Sequence, residues 1–368
     1  MAELFLHGPR LGKISLNFNF SNGLGAALAA KLDDSLTRER QSREDFTRGV
    51  VAEVVAKLEE SLTRERLFRE DFTQSIMAEL RHYIDVKLNQ LHLRTPIHWP
   101  EGGRIFMHTV DGHRLYLDSS EPFMALHLVE HGEWERPVRD LLRKLLHTGG
   151  FYIDVGANIG VHTLLASNLV GAEGSILAIE PHPVIRTLLT DNLEANGLLE
   201  RVEVVAAAVS DVHDGSASFE YFPQHAAMSG FRVSAERIAQ FRGTPQQIQV
   251  PTVTLDALVA KAGRAPDLVK IDVEGFELLV LRGGKDVLAA AHDTAFLIEY
   301  TADLVASLMG ETAVKSMSAI FEENGFMPYR VVEGGLAAID HDGFCSEEGG
   351  DYLFIRPDGR HAKALGFS

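Results

Sequence analysis

Cysteine is all but missing from this chain: among 368 residues there is one, Cys345. No disulfide can close within the chain and no cysteine-rich zinc site can be built, which suits a reducing, cytoplasmic setting. Basic residues are also short, 35 Lys and Arg against 52 Asp and Glu, for a net charge of −17. Binding to nucleic-acid phosphates or anionic lipid needs the opposite balance, so neither partner is expected. Long apolar runs are absent as well. No stretch reaches about 18 consecutive apolar residues, and the first 18 residues carry an early Glu3 in a broken apolar pattern, so neither a membrane span nor a secretory signal is expected. What is present is an apolar content of 45% in a chain long enough for about two domains of roughly 150 residues each.

Proline and glycine are scarce in one region. Between Lys31 and Leu91 there is no proline and one glycine, Gly49, beside 11 basic and 13 acidic residues. That composition favours long helix. LDDSLTRERQSREDFTRGVVAEV, from Leu32, returns as LEESLTRERLFREDFTQSIMAEL, from Leu58. In the second copy Leu58, Leu62, Phe72, Ile76, Leu80, Tyr83 and Ile84 fall near helical spacing, giving one narrow apolar stripe. Such a helix cannot bury its stripe alone. Residues 1–94 are therefore read as a helical repeat segment, with homo-oligomerisation through residues 21–91 as the leading use and packing on the same chain or on a foreign partner as the others.

Thr95-Pro96, Trp99-Pro100 and Glu101-Gly102-Gly103 break the helical texture. Residues 95–150 read as a β-hairpin about Asp111-Gly112 followed by an amphipathic helix over Pro137 to Leu146. From 151 to 368, strand and helix patterns alternate. Strands are expected at Phe151 to Val155, Ser175 to Ile179, Val202 to Ala208, Leu268 to Val273 and Ala295 to Tyr300. Helices are expected at Val161 to Val170, Val184 to Asn196, Phe276 to Ala291 and Ala313 to Asn324. This is the pattern of an α/β, Rossmann-like sheet of seven mostly parallel strands, with Met327 to Val332 and Tyr352 to Ile355 as an antiparallel hairpin at one edge. Phe219 to Gly243 interrupts the alternation as an insertion, whose loop Gln224 to Gly230 offers His225 and Ser229 as acceptor contacts.

The most informative string is Tyr152-Ile153-Asp154-Val155-Gly156-Ala157-Asn158-Ile159-Gly160. Glycines at a strand-to-helix turn let backbone approach a ligand and leave helix-start N–H groups free to receive it. The dinucleotide fingerprint needs a glycine where Asn158 stands, which disfavours an NAD enzyme. Asp154 puts a carboxylate where a cationic amino group, rather than a pyrophosphate, is welcome. Glu180 ends the next strand, where a carboxylate accepts hydrogen bonds from both hydroxyls of an adenosine ribose.

DVGANIG, IEPHP, NLEANGL, VKIDVEGFELLVLRGG and LIEY together resemble the successive blocks of the FkbM-type S-adenosylmethionine-dependent methyltransferases, a branch of the class I Rossmann-like fold. GEWERPVRDLL, just upstream, fits the same family. The resemblance covers about Arg104 to Pro357 and leaves the repeat region unmatched. It implies that Asp154, Gly156, Asn158 and Gly160 hold the methionine part of S-adenosylmethionine, Glu180 the ribose, and the turn from Ala208 to Asp211 the adenine.

Lys270, Asp272 and Glu274 alternate, so a strand continuing that far points all three to one face of the sheet, with Glu299 arriving from the next strand. Methyl transfer is an in-line displacement that must align the acceptor and accept its proton. Asp272 is the preferred general base, Glu274 and Glu299 shape the acceptor geometry, and Lys270 keeps the acids ionised. Asp272 and Glu274 could instead hold Mg²⁺ or Mn²⁺, a less favoured reading, or form a structural ion-pair cluster. His127 to His131 matches His-x-x-Glu-His, yet no third ligand is evident, and it reads as a mixed surface segment. The sequence thus predicts an O-methyltransferase acting on a hydroxyl of a sugar, a glycan or a glycosylated or polyketide-like metabolite, the acceptor class coming from the resemblance. The rival reading is a helical scaffold that recruits a pathway partner.

Overall fold

The computed structural model describes residues 2–8, 12–18, 104–118, 122–222, 225–230, 246–290 and 292–367. The chain divides into two compact units, residues 1–99 with 129–131, and residues 100–128 with 132–368. In the first unit, β1 (Ala2–Gly8) and β2 (Gly12–Phe18) pair antiparallel, Leu4 opposite Leu16 and Leu6 opposite Ile14. The apolar residues here recur every second position, a strand period, so this part of the expected helical segment is a hairpin. The repeat from Leu32 to Leu80, and with it the expectation of oligomerisation through residues 21–91, lies outside the described residues.

In the second unit, β3 (Arg104–His108) and β4 (Arg114–Asp118) form the expected hairpin, with Gly112 at φ 81° in its turn. Helices α1 (Pro122–His131), whose last three residues are grouped with the first unit, and α2 (Arg136–Leu145) follow. The α/β region then runs β5 (Phe151–Val155), α3 (Val161–Val170), β6 (Ser175–Ile179), α4 (Pro183–Ala195), β7 (Val202–Val205) and the two-residue β8 (Ala208–Val209). Next come β9 (Gly215–Phe222), β10 (His225–Gly230), β11 (Gln246–Val253), α5 (Leu255–Ala262), β12 (Leu268–Ile271), α6 (Glu277–Arg282) and α7 (Lys285–Ala290). The chain closes with β13 (Ala295–Thr301), α8 (Ala302–Met309), α9 (Ala313–Glu323), β14 (Met327–Val332), β15 (Gly335–Ala338), α10 (His341–Ser346), β16 (Gly349–Ile355) and α11 (Arg360–Leu365). Among the described residues no single helix is long and apolar enough to cross a membrane.

The main sheet has the order β15-β14-β16-β13-β12-β5-β6-β7. Strands β5, β6, β7, β12 and β13 pair parallel, while β16 runs antiparallel between β13 and β14. The Rossmann-like α/β sheet is therefore as expected, with eight strands rather than seven. The extra strand, Gly-Leu-Ala-Ala, has residues of low strand propensity and carries little signal of its own. Three further differences have local causes. The helix expected over Phe276 to Ala291 breaks at Gly283-Gly284 because Gly283 packs on the Ser210 carbonyl, where a Cβ would come within 2.0 Å of the oxygen. The insertion is not a loop where it is described: β10, β9, β11 and β8 form a second, four-stranded sheet. Strand β12 also stops at Ile271, short of Val273.

The two faces of the main sheet differ. Ile153, Val155, Val269, Ile271, Phe296 and Ile298 are fully buried on one face, against Met317, Phe321 and Phe326 of the α9 region. On the other, register sets Asp154 beside Lys270 and Glu299 beside Asp351. Because β5 lies between β6 and β12, the connections after these strands leave in different directions and open a crevice at their carboxyl ends.

Candidate functional site

The crevice is a cleft with about 650 Å³ of empty space, part of it open solvent, lined among others by Gly156, Asn158, Glu180, Ala208, Asp272 and Glu274. The glycine loop works differently from expectation. The N–H groups of Gly156 and Ala157 both donate to the Ile179 carbonyl at 3.0 Å, and that of Gly160 donates to Ala157. These three are consumed within the chain, so this part of the loop acts as a brace. Gly156, at φ 84°, is required because a Cβ there would lie 1.8 Å from the Asp272 carbonyl oxygen. Gly160, at φ 91°, makes room for Leu189 of α4. Both glycines close backbone on protein, and Gly156 in doing so joins the end of β5 to the end of β12.

What the brace holds is Glu180. Its Oε2 accepts from the Asn158 N–H at 3.1 Å and its Oε1 from the His182 N–H at 2.8 Å. Asn158 reaches this position in the left-handed region, φ 49°, which asparagine tolerates. The Ile179-Glu180-Pro181-His182-Pro183 string is itself fixed: the His182 ring caps α4 at the Ile185 N–H, and Arg186 donates to the carbonyls of Glu180 and Pro181. Burial pushes the Glu180 carboxyl up to about 7, with Asp272 adding to the rise against the two backbone donors. The Oδ1 of Asn158 is buried without a hydrogen-bond partner.

Other expected contacts divide. Asp154 is buried below the loop, where its Oδ2 accepts from the Thr163 hydroxyl at 2.6 Å and its Oδ1 has no partner. Ala208 and Val209 line the cleft, but Asp211 is exposed, and its Oδ1 accepts from the Ser210 hydroxyl at 3.2 Å. His225 and Ser229 sit on β10, the outermost strand of the second sheet, three strands away from β8.

The carboxyl end of β12 carries the charged part. Lys270 is 2% exposed, and its Nζ lies 2.8 Å from Asp272 Oδ2. Burial opposes the ammonium charge, but the carboxylates of Asp272, Glu135, Asp154 and Glu299 outweigh it and raise the pKa. Glu274 does not follow in the alternation. The strand has ended, and Glu274 (φ 52°) and Gly275 (φ 99°) make a left-handed turn that returns Glu274 to the cleft lining. Nor does Lys270 keep every acid ionised. The charge of Asp272, then burial, push Glu299 up to about 9 despite Lys270, so near neutral pH it is a carboxylic acid able to donate a hydrogen bond.

Sequence reasoning left three groups here unassigned. The Nε2 of His162, in the first turn of α3, lies 2.9 Å from the Oε2 of Glu135. Burial would raise the Glu135 carboxyl, but His162 and Lys270 together bring it down to about 2. Asp351 is pushed up to about 6 by burial and by Glu135. The third, Glu277, is fully buried, accepts the Gly275 N–H at 3.0 Å and is raised by burial to about 8. The Glu274-Gly275-Phe276-Glu277 order gives no hint of this turn, whereas Glu135 stands in a recognisable string. Among the described residues no group of three or more His, Cys, Asp or Glu side chains converges to hold a metal ion.

Residues 154–327 match the family model of the methyltransferase FkbM domain. The sequence is 31% identical over 163 residues, 43% of this chain and 60% of the relative, to the hexuronic acid methyltransferase AglP of Haloferax volcanii. It is 29% identical over 161 residues, 38% of this chain and 61% of the relative, to the methyltransferase sdnD of Sordaria araneosa. The chain thus spans about three-fifths of the length of these two curated relatives. A crystal structure of an FkbM methyltransferase from Methylobacillus flagellatus is similar over 62% of this chain and 52% of that one, at 12% identity and a TM-score of 0.32. The matched range contains the glycine brace, Glu180 and the charged end of β12; Glu135 lies outside it.

Proposed function

We propose that the protein is an S-adenosylmethionine-dependent O-methyltransferase whose acceptor is a hydroxyl of a sugar, a glycan or a glycosylated or polyketide-like metabolite. The observation that carries this reading is Glu180, a buried carboxylate pinned by two backbone N–H groups in the lining of a cleft that also contains Asp272. The acceptor groups fit the cofactor: Glu180 for the ribose hydroxyls and the unpartnered Asn158 Oδ1 for the amino-acid end, with Ala208 and Val209 against the base, while Asp154, which is buried outside the cleft lining, is kept as a candidate for the same end. When bound, S-adenosylmethionine supplies an electrophilic methyl group on a sulfonium.

The chain's own residues then have separable tasks. Asp272 accepts the proton that the acceptor oxygen loses as it takes the methyl group, and Lys270 fixes the carboxylate that does so. Glu299, in its acid form, donates to an acceptor oxygen, and Glu274 bounds the same space from its left-handed turn. His225 and Ser229 remain candidate acceptor contacts from the second sheet. A divalent metal on Asp272 and Glu274 is the less favoured arrangement, since the Lys270 ammonium already supplies positive charge at Asp272. The repeat region is proposed as an appended assembly segment.

Two measurements test this. Calorimetry with S-adenosylmethionine should give saturable binding, and its absence at high micromolar cofactor counts against the assignment. A screen of nucleotide-sugar and glycan acceptors, read by mass for one added CH₂, identifies the substrate. With that substrate, Asp272→Asn is expected to lower turnover about 100- to 10,000-fold while cofactor affinity changes little. Equal loss of both would show that the base has been misassigned.

A further inference from the structure

Asn192 of α4 is fully buried and has no task in the mechanism above. Its amide serves two segments at once. The Oδ1 accepts from the Tyr116 N–H at 2.6 Å, and the Nδ2 donates to the Tyr116 carbonyl at 3.1 Å and to the Ile159 carbonyl at 2.8 Å. Both amide hydrogens are thereby used, and the bond from a backbone N–H fixes which end of the amide carries the oxygen. One turn further on, at the C-cap of α4, Asn196 makes the matching pair of bonds to Arg114, accepting its N–H at 2.9 Å and donating to its carbonyl at 2.7 Å. Its remaining side-chain bond goes to the Asn192 carbonyl within the helix. Four residues of helix rise about 6.0 Å and two residues of strand about 6.6 Å, so two amides on one helix face stand in for a neighbouring strand beside β4. The two asparagines hold the hairpin in the same way, and Asn192 extends that hold to the glycine brace.

The segment that Asn192 reaches has unusual backbone on both sides of it. Asn158 is at φ 49° and Gly160 at φ 91°, with Ile159 between them. A left-handed asparagine persists where its surroundings enforce it. Helix α4 supplies that enforcement at two points. Leu189 fills the space beside Gly160, where a Cβ would lie 2.6 Å from its Cδ1, and Asn192 ties down the Ile159 carbonyl. Asn158, fixed in this way, directs its N–H at Glu180 Oε2, 3.1 Å away, and both Asn158 and Glu180 line the cleft.

We propose that Asn192 is a positioning residue for the cofactor: by holding the Ile159 carbonyl it sets the Asn158 turn, and through the Asn158 N–H it sets the Glu180 carboxylate that receives the ribose. This rests on the cofactor assignment made above and extends it to the β3–β4 hairpin, which lies outside the matched range of the family model and is coupled to the cleft through the same amide.

The test needs no acceptor. Calorimetry on the full chain measures the affinity for S-adenosylhomocysteine, the cofactor after methyl transfer, as a function of pH for the wild type, Asn192→Ala and Asn196→Ala. Loss of a buried hydrogen bond that orients a binding group is expected to weaken Asn192→Ala about tenfold, with Asn196→Ala within about twofold of the wild type. The pH profile separates positioning from packing. Glu180 loses a backbone donor in Asn192→Ala, so its rise in affinity with pH should centre higher than in the wild type, because hydrogen bonds to the ionised form favour that form. The other groups acting on Glu180, which are Asp272, Arg186 and the His182 N–H, are the same in both variants. A merely structural asparagine would weaken binding equally in both variants or leave the profile in place. Either result overturns the proposal, as does unchanged affinity in Asn192→Ala. If Asn192→Ala does not fold, as judged by its thermal melt, hydrogen exchange on the wild type decides. Saturating S-adenosylhomocysteine should slow exchange of the Tyr116 N–H, which Asn192 holds, more than that of the Arg114 N–H, which Asn196 holds. Equal effects on the two overturn the coupling. A wild type that binds no S-adenosylhomocysteine removes the cofactor assignment itself, an outcome distinct from binding that Asn192 does not influence.

Discussion

The two faces of the main sheet are made from the same strands, yet they do opposite things. On one face Phe296, Ile298, Phe321, Phe326 and Phe354 interlock, the rings of Phe321 and Phe354 stacked 3.8 Å apart. On the other, at the carboxyl ends of β12 and β13 and the adjoining start of the antiparallel β16, Lys270, Asp272, Glu299 and Asp351 meet, with Glu135 and His162 close by. Burial on the first face removes apolar surface from water and stabilises the domain. Burial on the second moves carboxyl groups up or down the pH scale according to their neighbours. One face sets how firmly the strands are held, and the other spends part of that firmness on holding charged groups close together.

If the division is real, the faces should fail differently. The largest effect belongs to the apolar face: Phe321→Ala is expected to destabilise the domain by about 3–5 kcal/mol, measured by denaturant unfolding. A loss below about 1 kcal/mol would mean that α9 is not part of the core. Next, Glu180→Ala should leave the unfolding midpoint nearly unchanged while weakening S-adenosylhomocysteine about 100-fold in calorimetry, as two hydroxyl partners and their charged acceptor are lost. A collapse of stability with no selective loss of binding would recast Glu180 as structural.

The smallest effect is spread over the charged face and read by pH. Glu180, Asp351, Glu277 and Glu299 are raised to about 7, 6, 8 and 9, so in the folded state they keep protons that the unfolded chain has released. Their contribution is fully present below about pH 4.5 and is lost as pH rises through these values. Glu135, lowered to about 2, acts with the opposite sign, its contribution lost only as pH falls below the ordinary carboxylate range. The thermal midpoint of the ligand-free protein is therefore expected to fall by a few degrees between about pH 5 and pH 9. A midpoint that climbs steadily over that interval would contradict the raised carboxyl groups. Ligand affinity at Glu180 should run the other way, improving as pH rises through about 7, because the ionised carboxylate is the better acceptor for hydroxyl donors.

Much of this was legible from residue order. The alternation of strand and helix gave the parallel sheet, and Glu180 and Asp272 were singled out by their positions at strand ends. The glycine loop is legible as a tight turn, but local sequence says only that Gly156 and Gly160 suit unusual backbone angles, not which neighbouring groups require them. Here Asp272 and Leu189 do. Glu274 was assigned to a strand that ends too early, because a turn at Glu274-Gly275 braced by the buried Glu277 overrides the alternation. The second sheet was missed because β9, β10 and β11 pair across a chain insertion, and β8 is two residues long.

The sequence by itself determined the period of each element, the acidic net charge and which side chains stand at the carboxyl ends of the central strands, since these depend on neighbours along the chain. Only the tertiary structure decided that the loop N–H groups are spent on Ile179 and Glu180, that Glu135 reaches His162 across 27 positions, and which carboxyl groups keep their protons. Those outcomes depend on burial and on charges brought together from distant segments, and electrostatic energy in a low-dielectric interior is set by distance in space rather than by separation in sequence.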